Sequence, residues 1–338
     1  GASQLENLQK DYSEKLSSLY KSRAADWQKT AISKISLSSF TPIAKGEVPG
    51  YLINQFSMDE SKGYFRVATT IQPSWWAGWD GQASANALYV LDDKLQIVGK
   101  VEGIAPGETI YSVRFMGDRA YMVTFKKVDP FFVIDLSDPN SPKLLGKLKI
   151  PGYSDYLHPY DDSYIIGLGK EAIPSKEGDF ALQQGVKLSL FDVRNPEDPK
   201  EVAKFEIGDR GTESYALHDH KAFLFSKDLN LLVIPITLAK IDKSKYAGGE
   251  IPDWAYGDFV FQGAYVFKVS PEEGFLLRGT ITHASEEELL KSGEYFYAKS
   301  NVLRSLYMDD YLYTVSNRMV KANDLNSLAH ISSVQISG

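Results

Sequence analysis

The sequence from Val133 to Ile150, VIDLSDPNSPKLLGKLKI, recurs 57 residues further on, from Leu190 to Ile207, as LFDVRNPEDPKEVAKFEI. Both copies contain an apolar segment, an aspartate, two prolines and a second segment that ends in isoleucine. Each copy is typical of two strands joined by a turn, because Val, Ile and Phe favour strands and proline interrupts strand pairing. Self-similarity at a fixed period of this size indicates a repeat architecture.

Two short strands and a tight turn precede each copy, so the repeating unit has four strands, which we call A to D. In the first copy A and B are Thr109–Met116 and Arg119–Phe125, and in the second they are Ser154–Tyr160 and Ser163–Gly169. The same order is predicted three more times: Leu52–Met58, Tyr64–Ile71, Ala87–Leu91 and Leu95–Val101; Ser214–Phe225, Leu229–Thr237, Ala264–Val269 and Phe275–Ile281; Asn301–Met308, Tyr311–Ser316, Met319–Asp324 and Leu328–Ile336. Five such units predict an all-β fold, a β-propeller of antiparallel four-stranded blades. An immunoglobulin-like sandwich is the rival fold, but it gives no reason for an internal repeat.

The N-terminal region departs from this pattern. Ile32–Leu37 and Pro42–Val48 resemble a C-D pair, which predicts a half blade. Residues 4–29 place Leu, Tyr and Trp at helical spacing among charged residues, which predicts an N-terminal helix before a propeller over residues 30–338. Residues 1–3 resemble the remnant of a purification tag. Six C-D pairs against five A-B pairs lead us to expect the C-terminal part of a longer protein with earlier blades.

The composition excludes several classes of function. A net charge of -7 and a pI near 5.4 argue against nucleic-acid binding, which needs a basic surface. The absence of cysteine excludes disulfides, iron–sulfur clusters and thiolate zinc sites. Nucleotide-binding, zincin and α/β-hydrolase motifs are absent from the sequence, and no apolar run approaches the length of a membrane span. We therefore expect no cofactor.

The longest predicted connections all lie on one side of the blades. They are the B-C connections 72–86, 170–186 and 238–263 and the D-A connection 282–300. Long loops on a rigid scaffold often carry function, and Trp and Tyr are favoured at recognition surfaces. Two interpretations remain open: the aromatic side chains fold back onto the blades, or they contact a ligand. The binding candidates in these connections are Trp75, Trp76, Trp79, Trp254, Tyr256, Tyr295 and Tyr297.

The A strands, which line the central channel of a propeller, supply a second set of candidates. Their polar residues are Gln55, Arg114, Asp155, His158, Glu213, His218 and Arg304. Arg114 and Arg304 are suited to holding a carboxylate, because guanidinium groups bind carboxylates in a bidentate manner. Alternatively, the two arginines pair with Asp155 and Glu213 inside the channel.

Signals for metal binding are weak. His218-Asp219-His220 places two histidines on one side of a predicted strand, but no third ligand is identified, so we assign no metal site. The run from Glu286 to Glu288 is typical of the first turn of a helix capped by Ser285.

Several segments together resemble a known family. The resemblance runs from about residue 30 to residue 316 and lies in YSVRFMGDRAYMVTF (111–125), PFFVIDLSDPNSPKLLGKLKIPG (130–152), SDYLHPYD (154–161), KLSLFDVRNPEDPKEV (187–202), DHKAFLF (219–225) and VPGYLINQFSMDE (48–60). These segments resemble the secreted β-propeller family of archaea and bacteria that is distantly related to WD40 repeats. The resemblance implies a propeller fold and an extracellular location, and it supplies no catalytic residues.

The favoured hypothesis is a non-enzymatic extracellular binding or scaffold module that engages a protein or a polysaccharide through the aromatic loops. The alternative is a hydrolase or lyase that uses carboxylates and His158 at the mouth of the channel. A third possibility is a purely structural propeller that organises neighbouring domains.

Overall fold

The computed structural model describes residues 2–72, 84–125, 129–174, 181–246, 251–285, 287–288 and 299–336. The chain begins with one long helix and continues as short strands. The elements are α1 (Ala2–Trp27), β1 (Lys29–Ile35), β2 (Pro42–Pro49), β3 (Met58–Ser61), β4 (Tyr64–Ile71), β5 (Ala85–Leu91), β6 (Ile97–Ile104), β7 (Thr109–Met116), β8 (Arg119–Phe125), β9 (Asp129–Asp135), β10 (Lys143–Ile150), β11 (Tyr153–Pro159), β12 (Tyr164–Pro174), β13 (Ala181–Asp192), β14 (Lys200–Ile207), β15 (Leu224–Ser226), β16 (Leu231–Lys240), β17 (Asp258–Ser270), β18 (Gly274–Ile281), β19 (Val302–Met308), β20 (Tyr311–Ser316), β21 (Met319–Asp324) and β22 (His330–Gln335).

The strands form five four-stranded sheets and one two-stranded sheet within the described residues. The four-stranded sheets are β3–β6, β7–β10, β11–β14, β15–β18 and β19–β22, each with neighbours in chain order. The two-stranded sheet is β1–β2. The predicted five complete units, the preceding C-D half unit and the N-terminal helix are therefore confirmed.

The aspartate shared by the two repeat copies has a common role. Asp135 Oδ1 accepts a hydrogen bond from the backbone N–H of Ser137 at 3.0 Å, and Asp192 Oδ1 accepts one from the backbone N–H of Arg194 at 3.0 Å. Such a bond closes a turn directly after the third strand of each sheet. The repeat therefore preserves a specific turn as well as an apolar pattern.

A glycine in the fourth strand of the sheet β3–β6 allows this sheet to approach the next one within the same part of the chain. A Cβ on Gly99 would lie 2.1 Å from the carbonyl oxygen of Pro139. Pro139 belongs to the turn between the third and fourth strands of the sheet β7–β10. Only a residue without a side chain fits against backbone at this distance.

The chain divides into two compact units, each with its own apolar core. The first comprises residues 1–149 with 196–198, and the second comprises residues 150–195 with 199–338. In the first unit, Leu88, Met122 and Ile134 are fully buried in one cluster. In the second, Leu231 and Val266 belong to a corresponding cluster. These residues lie in middle strands, which are buried on both faces, whereas outer strands such as β14 alternate between buried and exposed positions.

The predicted A strand Leu52–Met58, the first strand of the sheet β3–β6, is wrong in position. Residues Gln55–Ser57 form a 3-10 turn, and the strand is Met58–Ser61. The cause is a cap: the Asn54 side chain accepts a hydrogen bond from the backbone N–H of Phe56 at 2.9 Å. Asparagine side chains compete with strand pairing in this way.

The predicted strand Ser214–Phe225 is also largely wrong. Two 3-10 turns, Tyr215–Leu217 and His220–Ala222, occupy half of it, and only Leu224–Ser226 is a strand. The side chains of Ser214 and Asp219 cap these two turns by accepting backbone hydrogen bonds. His218 and His220 therefore do not project from one side of a strand, and the predicted pairing of the two histidines is wrong.

Two of the predicted long connections are shorter than expected. Most of residues 170–186 lies in β12 and β13, which extend as a hairpin to Pro174 and from Ala181. The connection predicted at 238–263 is 241–257, because β16 and β17 continue to pair as far as Lys240 and Asp258.

Candidate functional site

A pocket of about 310 Å³ opens in the second unit. It lies where the hairpin of β12 and β13, the connection 208–213 and the connection 241–257 meet. We call it the Arg210 pocket and define it by its polar lining residues, Lys170, Gln183, Gln184, Arg210, Glu213 and Tyr256. These residues come from B-C and D-A connections or the strand ends beside them. At this pocket the two kinds of connection therefore lie on the same side of the strands, as the sequence predicts.

The connection 208–213 is held in place by hydrogen bonds to the end of β16. Thr212 Oγ1 donates to the carbonyl of Ala239 at 3.1 Å and accepts from the backbone N–H of Ala239 at 3.0 Å. The carboxylate of Asp209 accepts a hydrogen bond from the backbone N–H of Ile241 at 2.8 Å. These bonds fix the backbone on both sides of Arg210.

The guanidinium of Arg210 stacks on the ring of Tyr256. Its central carbon lies 4.5 Å from the ring centroid, a distance typical of a cation–π contact. Nη1 donates to the carbonyl of Gln183 at 3.2 Å, and Nη2 donates to the Tyr256 hydroxyl at 3.2 Å. The backbone N–H of Gly257 donates to the carbonyl of Arg210 at 2.8 Å. Arg210 and Tyr256 are therefore joined through both main chain and side chain.

Two aromatic residues of the connection 241–257 face solvent. The side chains of Trp254 and Tyr256 are 65% and 66% exposed, while Ala255 between them is buried. The backbone N–H of Ala255 donates to the carbonyl of Pro252 at 2.9 Å and closes a turn. The buried alanine anchors the turn, and both rings remain accessible.

An ion pair between the buried Lys170 and the exposed Glu213 lines the pocket. Lys170 Nζ donates to the carbonyl of Thr212 at 2.5 Å and to Glu213 Oε1 at 2.6 Å. Burial raises the pKa of Asp155 to about 7; the nearby charge of Lys170 opposes this rise and that of Glu213 adds to it. Lys170, which was not among the predicted site residues, is thus the cation that bonds to Glu213 and lies near Asp155.

The other channel candidates lie in different surroundings. His158 Nδ1 is 3.0 Å from the Tyr156 hydroxyl, and the His158 ring packs against Phe223 and Phe225 at centroid distances of 5.0 and 5.2 Å. His158 therefore belongs to an aromatic cluster, and Asp155 to an ion cluster.

The two arginine candidates have partners of their own. Arg304 Nη2 donates to Asp219 Oδ2 at 2.9 Å, and in the first unit the Arg114 guanidinium lies 4.2 Å from the centroid of the Phe56 ring. Arg304 thus pairs with an aspartate that also caps a 3-10 turn. Carboxylate binding by Arg114 and Arg304 stays a prediction.

The capping role of Ser285 is confirmed. The hydroxyl of Ser285 accepts a hydrogen bond from the backbone N–H of Glu288 at 3.2 Å, and the Glu288 carboxylate accepts one from the backbone N–H of Ser285 at 2.9 Å. This reciprocal pair is a capping box, which lowers the pKa of Glu288.

Five of the predicted binding residues, Trp75, Trp76, Trp79, Tyr295 and Tyr297, lie outside the described residues. Across the described ranges, no group of three or more His, Asp or Glu side chains is arranged to hold a metal ion. Within the same ranges, no helix is both long and apolar enough to cross a membrane.

Comparison with known proteins identifies the family. The model of the beta propeller domain matches residues 12–328, so the chain belongs to this family, and the predicted fold is confirmed. An uncharacterized protein of Methanocaldococcus jannaschii is 37% identical over 310 residues, which cover 92% of this chain and 41% of that protein. An uncharacterized protein of Archaeoglobus fulgidus is 35% identical over 329 residues, which cover 97% of this chain and 42% of that protein. The chain therefore spans about two fifths of the length of these relatives.

Solved structures are similar at lower identity. BamB from Moraxella catarrhalis shares 10% sequence identity and a TM-score of 0.46, with 90% of this chain and 70% of that chain covered.

Proposed function

We propose that this propeller is a non-enzymatic extracellular binding module that recognises a polysaccharide through the Arg210 pocket and the aromatic turn beside it. The observation that carries the proposal is the pair of exposed rings, Trp254 and Tyr256, on a turn anchored at the edge of a polar pocket. The extracellular location rests on the family resemblance described above.

The chemistry of the pocket suits a sugar better than an apolar ligand. Exposed aromatic faces provide rigid area on which the apolar face of a sugar ring can stack. The side-chain amide of Gln183, the amide oxygen of Gln184 and the guanidinium of Arg210 offer the donors and acceptors that hydroxyl groups require, while Nε2 of Gln184 already donates to backbone carbonyls. Small-molecule sites commonly combine a concave surface with a few polar groups in fixed positions.

Affinity electrophoresis in gels that contain neutral or acidic polysaccharides tests this proposal. The wild-type protein should be retarded by at least one polymer, and Trp254→Ala and Tyr256→Ala should each reduce the retardation at least threefold. Tyr311→Ala is the matched control: Tyr311 is 41% exposed and follows an A-B turn, at the other end of the strands. Retardation by no polymer, or equal loss in all three variants, would contradict the proposal.

A second candidate function is a hydrolase or lyase, and the raised pKa of Asp155 favours it. A carboxyl group with a pKa of about 7 is half protonated at neutral pH, so it can act as a general acid or base. This function predicts new reducing ends, or the ultraviolet absorbance of an unsaturated sugar, after incubation with a polysaccharide. Asp155→Asn should then abolish product formation while Tyr311→Ala leaves it unchanged.

A further inference from the structure

We infer that Arg210 is a carboxylate-binding residue, and that the saccharide recognised by the Arg210 pocket contains a uronic acid. This inference rests on the proposed function and names the class of sugar that the pocket takes. It follows from the unused hydrogen-bond donors of Arg210, the local balance of charge and the orientation that Tyr256 imposes on the guanidinium.

The guanidinium of Arg210 has N–H groups that form no described hydrogen bond. An arginine carries five N–H groups, and the described contacts use one on Nη1, to the carbonyl of Gln183, and one on Nη2, to the hydroxyl of Tyr256. The Nε atom is buried and has no hydrogen-bond partner. Because Nε has almost no accessible surface, the donors that a ligand can reach are the remaining N–H groups on Nη1 and Nη2, whose described hydrogen bonds are exposed.

The charge of Arg210 is not neutralised within the described part of the chain. The other cation of the pocket, Lys170, is bonded to the carboxylate of Glu213. No described Asp or Glu forms an ion pair with Arg210, and the carboxylate of its neighbour Asp209 is bonded to the backbone of Ile241. Among the described residues, Arg210 is therefore the lining cation of the pocket that has no carboxylate partner.

The geometry favours a carboxylate over other anions. Stacking on Tyr256 fixes the plane of the guanidinium, so its remaining N–H groups point in directions set by the protein. A planar guanidinium edge matches the two oxygens of a carboxylate, and such bidentate pairs are among the stronger hydrogen bonds in proteins.

The size of the pocket and its polar lining complete the argument for an acidic sugar. Its volume of about 310 Å³ is at the lower end of the range for small-molecule sites, which suits a single sugar unit. The side-chain amide of Gln183 and the amide oxygen of Gln184 line the same pocket as Arg210 and can bond to hydroxyl groups, and the exposed ring of Tyr256 is available for stacking.

Isothermal titration calorimetry with monosaccharides tests the inference without a polymer. Sodium glucuronate and sodium galacturonate are compared with glucose and galactose, their neutral counterparts. We expect the uronates to bind at least tenfold more tightly, and the difference to shrink as salt is added, because salt screens a partly exposed charge pair.

Substitutions of Arg210 test how much its guanidinium contributes to uronate binding. Arg210→Gln should reduce uronate affinity at least tenfold, and Arg210→Lys should restore only part of it, because an ammonium keeps the charge but not the planar fork. Arg318→Gln is the matched control, since Arg318 is a surface arginine that is paired with Glu288. Circular dichroism and thermal midpoints establish that each variant is folded.

The outcomes separate the inference from the proposed function. Uronates that bind no tighter than neutral sugars, or as tightly to folded Arg210→Gln as to the wild type, overturn the inference. Binding of polyglutamate without binding of uronates also overturns it, in favour of an acidic protein segment. If neutral polysaccharides bind and uronates do not, the inference fails and the proposed function stands; if uronates bind and no polymer does, the proposed function fails.

Discussion

His283 provides a quantitative test of the packing in the second unit. Its side chain is 5% exposed, with Nδ1 at 2.9 Å from Ser316 Oγ and Nε2 at 2.8 Å from Thr314 Oγ1. Burial lowers the pKa of His283 from 6.5 to about 4, and the positive charge of Lys321 contributes to this shift. The folded protein therefore holds this imidazole neutral where an unfolded chain would bind a proton.

The pKa difference fixes the sign and size of the effect on stability. A lowered pKa in the folded state gives a contribution that is fully present above about pH 6.5 and is lost as the pH falls to about 4. At about 1.4 kcal/mol for each pKa unit, the loss in the free energy of unfolding amounts to about 3 kcal/mol. His283→Gln removes the titrating group but keeps a side chain that can donate and accept hydrogen bonds.

The assay is chemical denaturation of the wild type and of His283→Gln at neutral pH and near pH 4. Between these two conditions the wild type should lose about 3 kcal/mol more than the variant, because all other titrating groups are common to both. An NMR titration of the imidazole measures the pKa directly. Parallel pH dependence in the two proteins, or a measured pKa of His283 near 6.5, would refute the reasoning.

Two further predictions concern the first unit and the ion cluster. Gly99→Ala should lower the free energy of unfolding by about 1–3 kcal/mol or more, because the new methyl group meets the backbone of Pro139. Gly279→Ala should lower the free energy of unfolding by less, since its Cβ meets only the flexible end of the Leu328 side chain. Equal losses of stability in denaturant titrations of the two variants would count against the close approach of Gly99 to Pro139. Asp155→Asn should gain stability relative to the wild type as the pH rises from about 4 to about 7, by up to about 4 kcal/mol. The variant gains because a buried carboxyl group with a raised pKa lowers the stability of the fold when it ionises, and asparagine does not ionise. Chemical denaturation of both proteins across this pH range measures the difference, and the absence of a relative gain would contradict the prediction.

The sequence predicts most of the sheets because the repeat carries two signals at once. Apolar segments mark the strands, and Asp135 and Asp192 mark the turn after the third strand of each copy. The errors at Gln55–Ser57 and Tyr215–Leu217 have a common cause: a single polar side chain caps a 3-10 turn inside a segment whose overall composition favours a strand.

The candidate site was only partly predictable. Tyr256 and Trp254 stand out in sequence because aromatic residues are unusual in a polar connection. Arg210 is one charged residue in a connection of ordinary length, and its role depends on contacts with residues 27 and 46 positions away. Lys170 had a weak signal, as a lysine that follows an apolar run of the sequence, but its partner Glu213 is 43 positions away. Such pairings depend on how separate strands are brought together, which local patterns do not specify.

A crystal structure of the protein with an oligogalacturonate bound tests the central claim most directly. The account predicts one sugar unit in the Arg210 pocket, with its carboxylate oxygens at about 2.7–2.9 Å from nitrogen atoms of Arg210. A neighbouring unit should lie against the exposed ring of Tyr256 or Trp254. A saccharide bound elsewhere on the chain, with the Arg210 pocket filled only by solvent, would contradict the account.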